Sequence, residues 1–256
     1  MTDDEIKYVH LDKDHNLNAP GEIVPYLINI FHPKSVADVG CGLGTFLNVF
    51  LENGVNDLLG IDGRWVDKSK LFIPENYFIE KDLEQKFTVD KKFDLVLCLE
   101  VAEHLSGQSS DVLVENLTSL SNIIIFSAAI KNQGGQNHIN EQPCSYWVEK
   151  FKAHGFIFYD VFREVSWNNP RIDWWYKQNM FLVVRDTKDM SIFFPGKEPM
   201  IEVREYVHPE LLAMYTEQIK IFKQSLKKIK DGKSSPRFYL KLLQKSIYNK
   251  FFPGNE

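Results

Sequence analysis

Three short stretches of this 256-residue chain place reactive or ligand-cradling residue types at useful spacings. The first is Asp38-Val-Gly40-Cys-Gly42-Leu-Gly44-Thr-Phe46, lying between an apolar β-branched run and a helix-period segment. Glycines at such a junction let the backbone approach a ligand and leave helix N–H groups pointing at it. The same residues would equally make a tight strand-to-helix turn with no ligand. Their spacing is GxGxG, not the GxGxxG of a dinucleotide pyrophosphate site. Asp62 closes the next apolar run 24 positions after Asp38, where a carboxylate can accept hydrogen bonds from both hydroxyls of a ribose. Asp82-Leu83 follows a third run, where an acid and an apolar neighbour can hold an exocyclic amine and a purine face. The second stretch is Glu100-Val-Ala-Glu103-His104. On a helical turn the spacings i, i+3 and i+4 bring these side chains to one face, and two carboxylates with an imidazole suit magnesium, manganese or zinc. The third is His138-Ile-Asn140-Glu141-Gln142-Pro-Cys-Ser-Tyr146-Trp147. His138 reads as a general base, since histidine's ordinary pKa of ~6.5 lies near working pH, as a fourth metal ligand, or as the cap of a helix starting near Ser145.

Such residues need elements to hold them. Apolar, β-branched runs predict strands over 35–39, 57–61, 77–79, 93–99, 122–126, 156–162 and 180–185. Helical periods predict helices over 21–31, 45–53, 111–120 and 145–154. Strands alternating with helices predict an α/β fold with a doubly wound parallel sheet. The three chemical stretches then all follow strands, at the carboxyl ends where open α/β sheets bind ligands. His138, Asn140, Glu141, Gln142 and Tyr146 would meet an acceptor molecule there. Trp167, Trp174, Trp175 and Tyr176 flank Arg171 and Asp173 in a polar segment, 166–178, that reads as a loop or lid. Its rings would either stack on sugars or bases or pack the lid onto the sheet.

Composition bounds the class. A 44% hydrophobic content suffices for one sizeable core, and no run of 18 apolar residues or basic-apolar leader is present, which predicts neither a membrane-spanning nor a secreted protein. Cys41, Cys98 and Cys144 are too few and too far apart for a disulfide framework or a CxxC site, so the expected compartment is the cytoplasm. Pro195-Gly196 and Pro199 mark a change of style, dividing the chain into 1–190 and a basic helical extension, 191–256. In the extension Leu212, Tyr215, Ile219, Phe222, Leu226 and Ile229 recur every three or four residues, predicting an amphipathic helix over 209–230, followed by a shorter basic helix over 238–252. Between Lys220 and Lys250 stand ten basic residues and one acid, a local +9 within a chain total of −5, so the remainder carries −14. That tail reads as a solvated basic face, or as a contact for a partner or an anionic membrane surface over 209–252. The acidic remainder argues against a nucleic-acid partner.

The ordered set Asp38-Val-Gly-Cys-Gly-Leu-Gly44, Asp62, Asp82-Leu83 and Phe93-Asp-Leu-Val-Leu-Cys-Leu-Glu-Val-Ala-Glu-His104 resembles the class I S-adenosylmethionine-dependent methyltransferases, over about Pro20 to Asp186. The resemblance implies a Rossmann-like, seven-stranded sheet whose last strand is antiparallel, with 180–185 as that strand. It implies that Gly40, Gly42 and Gly44 border the methionine part of S-adenosylmethionine while Asp38 supports the turn. Asp62 would hold the ribose, and Asp82 with Leu83 the adenine. Glu-x-x-Glu-His is similar to the metal site of plant small-RNA ribose methyltransferases and ubiquinone-pathway O-methyltransferases, implying Glu100, Glu103 and His104 as ligands of magnesium, manganese or zinc, with His138 the candidate fourth. In relatives without metal the Glu-His pair serves cofactor-loop hydrogen bonding, a role Glu100 would then take. The His-x-Asn-Glu-Gln loop followed by Tyr-Trp resembles methyltransferases of bacterial and viral glycan modification. Together these imply an O-methyltransferase with His138, Glu141 and His104 as catalytic residues and a hydroxyl of a sugar, nucleotide sugar or glycan precursor as acceptor. The alternatives are an RNA ribose or small aromatic acceptor, or a non-catalytic cofactor-binding module that docks through its tail.

Overall fold

The computed structural model describes residues 16–187, 190, 193–200 and 204–251, the side chains of 246–251 excepted. In chain order the elements are α1 (Asn18–Phe31), β1 (Ser35–Val39), α2 (Thr45–Glu52), β2 (Asp57–Asp62), β3 (Phe78–Glu80), β4 (Leu95–Leu99), α3 (Ser110–Leu120) and β5 (Ile123–Ser127). Then come α4 (Cys144–Ala153), β6 (Phe156–Tyr159), α5 (Arg163–Ser166), α6 (Trp174–Asn179), β7 (Phe181–Arg185), α7 (Pro209–Lys230) and α8 (Pro236–Phe251). Every residue of β1, β4 and β5 is buried, because helices cover both faces of these central parallel strands. Side chains alternate between two cores. Val36, Leu95, Leu97, Ile123 and Ile125 face α1 and α2, while Ala37, Val96, Cys98, Ile124 and Phe126 face α3 and α4.

The sheet order is β3-β2-β1-β4-β5-β7-β6. β7 runs antiparallel to both β5 and β6, and the remaining pairs are parallel. This is the seven-stranded, Rossmann-like arrangement expected from the sequence. Chain order reverses between β1 and β4, which opens a crevice beyond their carboxyl ends. The glycine turn after β1 and the Glu100 turn after β4 stand on its two sides.

Several boundaries differ from the sequence reading. β4 starts at Leu95 because the Asp94 carboxylate accepts from Lys34 N and Ser35 N, at 2.8 and 3.1 Å, and holds the chain before the strand begins. β6 ends at Tyr159, where Asp160 turns to accept from Arg163 Nη1 at 2.6 Å. The segment expected to be a loop or lid contains α6, with α5 just before it. Two compact units divide at His208 and Pro209. Residues 200 and 204–208 thus belong with the sheet unit, tied by Met200 N to Phe158 O at 2.8 Å, Cys144 N to Glu205 Oε1 at 2.9 Å and His208 N to Gln178 Oε1 at 2.7 Å. In the second unit, the Tyr239 hydroxyl donates to Ile229 O at 2.7 Å, fastening α8 to the last turn of α7. Among the described residues, no helix is long and apolar enough to cross a membrane.

Candidate active site

The crevice holds a small open cleft, lined in part by residues from the ends of the central strands and the turns beyond them. Asp38, Gly40, Gly42, Thr45 and Phe46 form one wall, from the turn between β1 and α2, and Leu99 at the end of β4 lies opposite. Gly40 sits at φ +80°, and a Cβ there would lie 2.3 Å from one Val101 methyl and 2.7 Å from the other. The glycine turn therefore packs directly on the turn that carries Glu100, Glu103 and His104. Gly42 N donates to Asp62 Oδ2 at 2.7 Å and Gly63 N to Asp62 Oδ1 at 2.6 Å. Asp62 is buried behind the glycines, its carboxylate already engaged with backbone. Burial pushes its pKa up to about 6 against those bonds. Burial and then the Asp62 charge push Asp38 up to about 8.

The remaining cofactor-site residues separate. Asp82 is exposed, and its Oδ1 accepts from Glu84 N at 3.0 Å. Leu83 is only 1% exposed and belongs to the core below the sheet. Its side chain anchors the loop from inside, which corrects the expectation that it offers a face to a purine.

The Glu100–His104 stretch is not an α-helical turn. Glu100 adopts φ +55°, and only Ala102–His104 form a short 3-10 turn. Glu103, His104 and His138 each bring one ligand-type atom within 4.8 Å of the others. Glu100 stands outside this triad, with its carboxylate beside that of Glu103. Its left-handed backbone turns the carboxylate instead into a set of buried amides. Asn179 Nδ2 donates to both Glu100 oxygens at 3.2 and 3.3 Å, and Gln133 Nε2 donates to Oε2 at 3.3 Å. Gln178 Nε2 and Asn179 Nδ2 both bond Gln133 Oε1, at 3.1 and 2.9 Å. These amides went unnoticed in the sequence, where the one signal is a polar Gln178-Asn179 pair abutting the apolar run of β7.

Glu103 is 1% exposed; its Oε1 accepts from Ala129 N at 3.1 Å, while no donor among the described residues reaches the buried Oε2. Burial, then the Glu100 carboxylate beside it, pushes the Glu103 pKa well up. Burial, then the nearby His138, pulls His104 down to about 4, so its imidazole is neutral at physiological pH. The His104 and His138 rings meet edge to face with centroids 4.8 Å apart. His138 Nδ1 bonds Glu141 Oε1 at 2.9 Å, and Gly134 N donates to the same oxygen at 2.6 Å. Gly135 makes room for the ring, since a Cβ there would lie 2.2 Å from His138 Nε2. Ile139 N and Asn140 N donate to Glu103 O at 2.9 and 3.0 Å, clamping the loop to the 3-10 turn. A neutral imidazole, a second imidazole oriented by a carboxylate, and a buried carboxylate oxygen lacking a donor form a donor set of the kind that holds magnesium, manganese or zinc.

The loop residues expected at the acceptor divide between site and scaffold. Asn140 is buried, donating to Ala102 O at 3.2 Å, and Gln142 donates to its Oδ1 at 2.8 Å. Tyr146 lies beneath the Lys150 ammonium, 4.8 Å from the ring centre. Trp167 packs against His208 with centroids 4.5 Å apart, so that indole braces the 163–208 region. Tyr176 and Asp173 line the cleft, with the Tyr176 ring edge-on to Phe46 at 5.7 Å. Burial, then the Glu100 and Asp173 charges, raise the Tyr176 hydroxyl. The cleft is also lined by Asn16, Ala19 and Pro20, at or near the start of α1. These were missed because nothing in an ordinary amphipathic helix announces a ligand. Arg171 and Asn169 both reach Glu22, at 3.1 and 2.9 Å, and so tie the 166–178 segment to α1.

A family model described as "Methyltransferase domain" matches residues 14–180. The tRNA U34 carboxymethyltransferase of Helicobacter pylori (strain HPAG1) is 30% identical over 112 residues, covering 39% of this chain and 41% of that protein. The chain thus spans about two fifths of the length of the curated relatives it matches. Among solved structures, Streptomyces venezuelae DesVI aligns with a TM-score of 0.51 at 11% identity, over 69% of this chain and 99% of that one. Magnesium protoporphyrin IX methyltransferase from Synechocystis PCC 6803 aligns with a TM-score of 0.48 at 16% identity, over 71% and 88%. At such identities the structural likeness concerns the fold.

Proposed function

Because the chain belongs to the class I S-adenosylmethionine-dependent methyltransferases, we propose that it methylates a hydroxyl group, on a sugar, nucleotide sugar or glycan precursor, with divalent-metal assistance. The observation that carries this reading is the convergence of Glu103 and His104, on the turn after β4, with His138, on the loop after β5. Glu103, His104 and His138 would hold a divalent cation, whose positive charge would lower the pKa of an acceptor hydroxyl. The chain's own residues then align and exclude water. The glycine turn and the N-terminus of α2 receive the methionine portion of the cofactor. Glu141 holds His138 in one tautomer through Nδ1, leaving Nε2 with its lone pair. Tyr176 closes the cleft over the donor, and Trp174 and Trp175 offer ring faces to a sugar. Since the sulfonium already activates the methyl group, alignment of the acceptor oxygen and handling of its proton are what the protein must contribute.

An RNA hydroxyl is the second reading, supported by the name of the Helicobacter relatives and by the basic tail, and opposed by the −14 carried outside 220–250. Release of S-adenosylhomocysteine, measured with nucleotide sugars and with transfer RNA in parallel, tests the choice. The proposal expects turnover with the sugars; turnover with RNA alone would replace it, and binding of cofactor without turnover on either would support the docking-module alternative.

Two further outcomes are expected. Dialysis against a chelator should lower turnover by about 10²-fold or more, with recovery on adding magnesium or manganese. Unchanged turnover, together with no metal in the purified protein, would leave His138 as a general base acting alone. The second concerns pH. Asp38 and Asp62 hold protons up to about 8 and about 6 in the cofactor-free protein, and a bound sulfonium cation favours their ionised forms. Binding should therefore release protons and tighten as pH rises from 6 to 8. Calorimetry would follow the ratio of S-adenosylmethionine to S-adenosylhomocysteine affinity, which cancels the amino-acid moiety they share. A ratio independent of pH would contradict this electrostatic role.

A further inference from the structure

Burial leaves the apolar residues of the second unit conspicuously uncovered: Leu212 is 62% exposed, Ile219 52%, Ile221 54% and Phe222 63%. At 100° per residue Leu212, Tyr215, Ile219, Phe222, Leu226 and Ile229 share an arc of about 100°, and Met214 with Ile221 widen the apolar face to about 180°. Lys220, Lys223, Lys227 and Lys230 line one border of that face. α8 repeats the pattern, with Leu240 56% and Leu243 57% exposed among Arg237, Lys241 and Lys245. The Tyr239 hydroxyl, donating to Ile229 O, makes one unit of the two helices.

Two occupants compete for such a face, and charge separates them. A coiled coil with a second copy would use the three-four spacing as its seam. Its flanking positions then carry Thr216, Lys223 and Lys230 on one side and Gln218 and Ser225 on the other. No acid is available to pair with those lysines, and two segments of +9 would repel. A seam also leaves Ile221 and Met214 unused. A wide apolar half with a basic border suits instead a helix lying in the interface of an anionic bilayer, its apolar side chains among the acyl chains and its lysines at the headgroups. We propose that residues 209–251 form a peripheral docking unit for anionic membrane surfaces. This goes beyond the methyl-transfer reading and does not depend on it.

The test is flotation of the full chain with vesicles of phosphatidylcholine alone and of phosphatidylcholine containing about one third phosphatidylglycerol. Binding is expected with the anionic vesicles only, falling by about fivefold for each lysine changed to glutamine, and weakening as salt rises from about 0.1 M to about 0.5 M. The exposed double substitution Phe222→Gln, Leu226→Gln should lower partitioning at least tenfold while cofactor binding stays unchanged, which shows the sheet unit intact. Failure to float with anionic vesicles overturns the proposal, and so does equal flotation with both. Growth of the sedimenting mass with concentration in the absence of flotation would assign the face to a second copy. RNA binding that survives the double substitution, again without flotation, would assign the lysines to nucleic acid.

Discussion

His138→Ala is expected to lower kcat by about 10²–10⁴-fold at saturating cofactor and acceptor, the range associated with loss of a positioned proton acceptor. One lone pair disappears, whether it serves as a metal ligand or as a base. The imidazole supplies one of three ligand-type atoms lying within 4.8 Å, and its Nε2 is the lone pair left open by the bond from Nδ1 to Glu141. Cofactor affinity should stay near that of the parent, because His138 is absent from the wall of the cleft beside the glycine turn. Glu141→Gln is a graded control: the amide can still bond Nδ1 but carries no charge to favour it. Its cost should be about 10–100-fold, as for other residues that orient a ligand. A kcat for His138→Ala within a factor of three or so of the parent would remove His138 from the mechanism under both readings of its role.

Gly40→Ala is expected to reduce stability by about 2–5 kcal/mol, combining a left-handed backbone penalty with overpacking. The φ of +80° disfavours any Cβ, and that Cβ would meet both Val101 methyls, at 2.3 and 2.7 Å. Val101 is β-branched and stiff at χ1, so it cannot swing aside cheaply. Thermal unfolding should shift by roughly 2–4 °C per kcal/mol for a unit of this size, with a parallel loss of cofactor affinity. Val101→Ala in the same chain separates the two causes, since it relieves the clash and leaves the backbone strain. A double-mutant cycle with no coupling between positions 40 and 101 would mean that the glycine turn and the Glu100 turn are mechanically independent.

The same contact shows where sequence reasoning stops. Strands over 35–39, 57–61 and 122–126 were legible, to within a residue at either end, because buried parallel strands are rich in apolar and β-branched residues. The glycine turn was legible because few residue types tolerate its backbone. The involvement of Glu103, His104 and His138 was also visible as residue types. The exclusion of Glu100 from that group was not, since i, i+3, i+4 spacing brings side chains together only on an α-helix, and Glu100 stands at φ +55° before a 3-10 turn. Its competing partners, Asn179 and Gln133, lie 79 and 33 residues away. Leu83 likewise carried the right residue type, and the packing beneath the sheet claimed it.

What the sequence determined by itself is therefore the alternation of elements, the seven-stranded sheet through its motifs, the glycine turn after β1 and the segregation of positive charge at 220–250. Each of these depends on patterns that repeat within a few residues, where covalent geometry and burial of one face dictate the outcome. Tertiary structure alone decided which carboxylate joins the two histidines, that α1 and α6 line the cleft, that residues 204–208 belong with the sheet, and that apolar side chains of α7 are exposed. Those outcomes depend on which distant groups reach a side chain first, and competition among hydrogen-bond partners and packing surfaces is settled only when the strand ends are brought together.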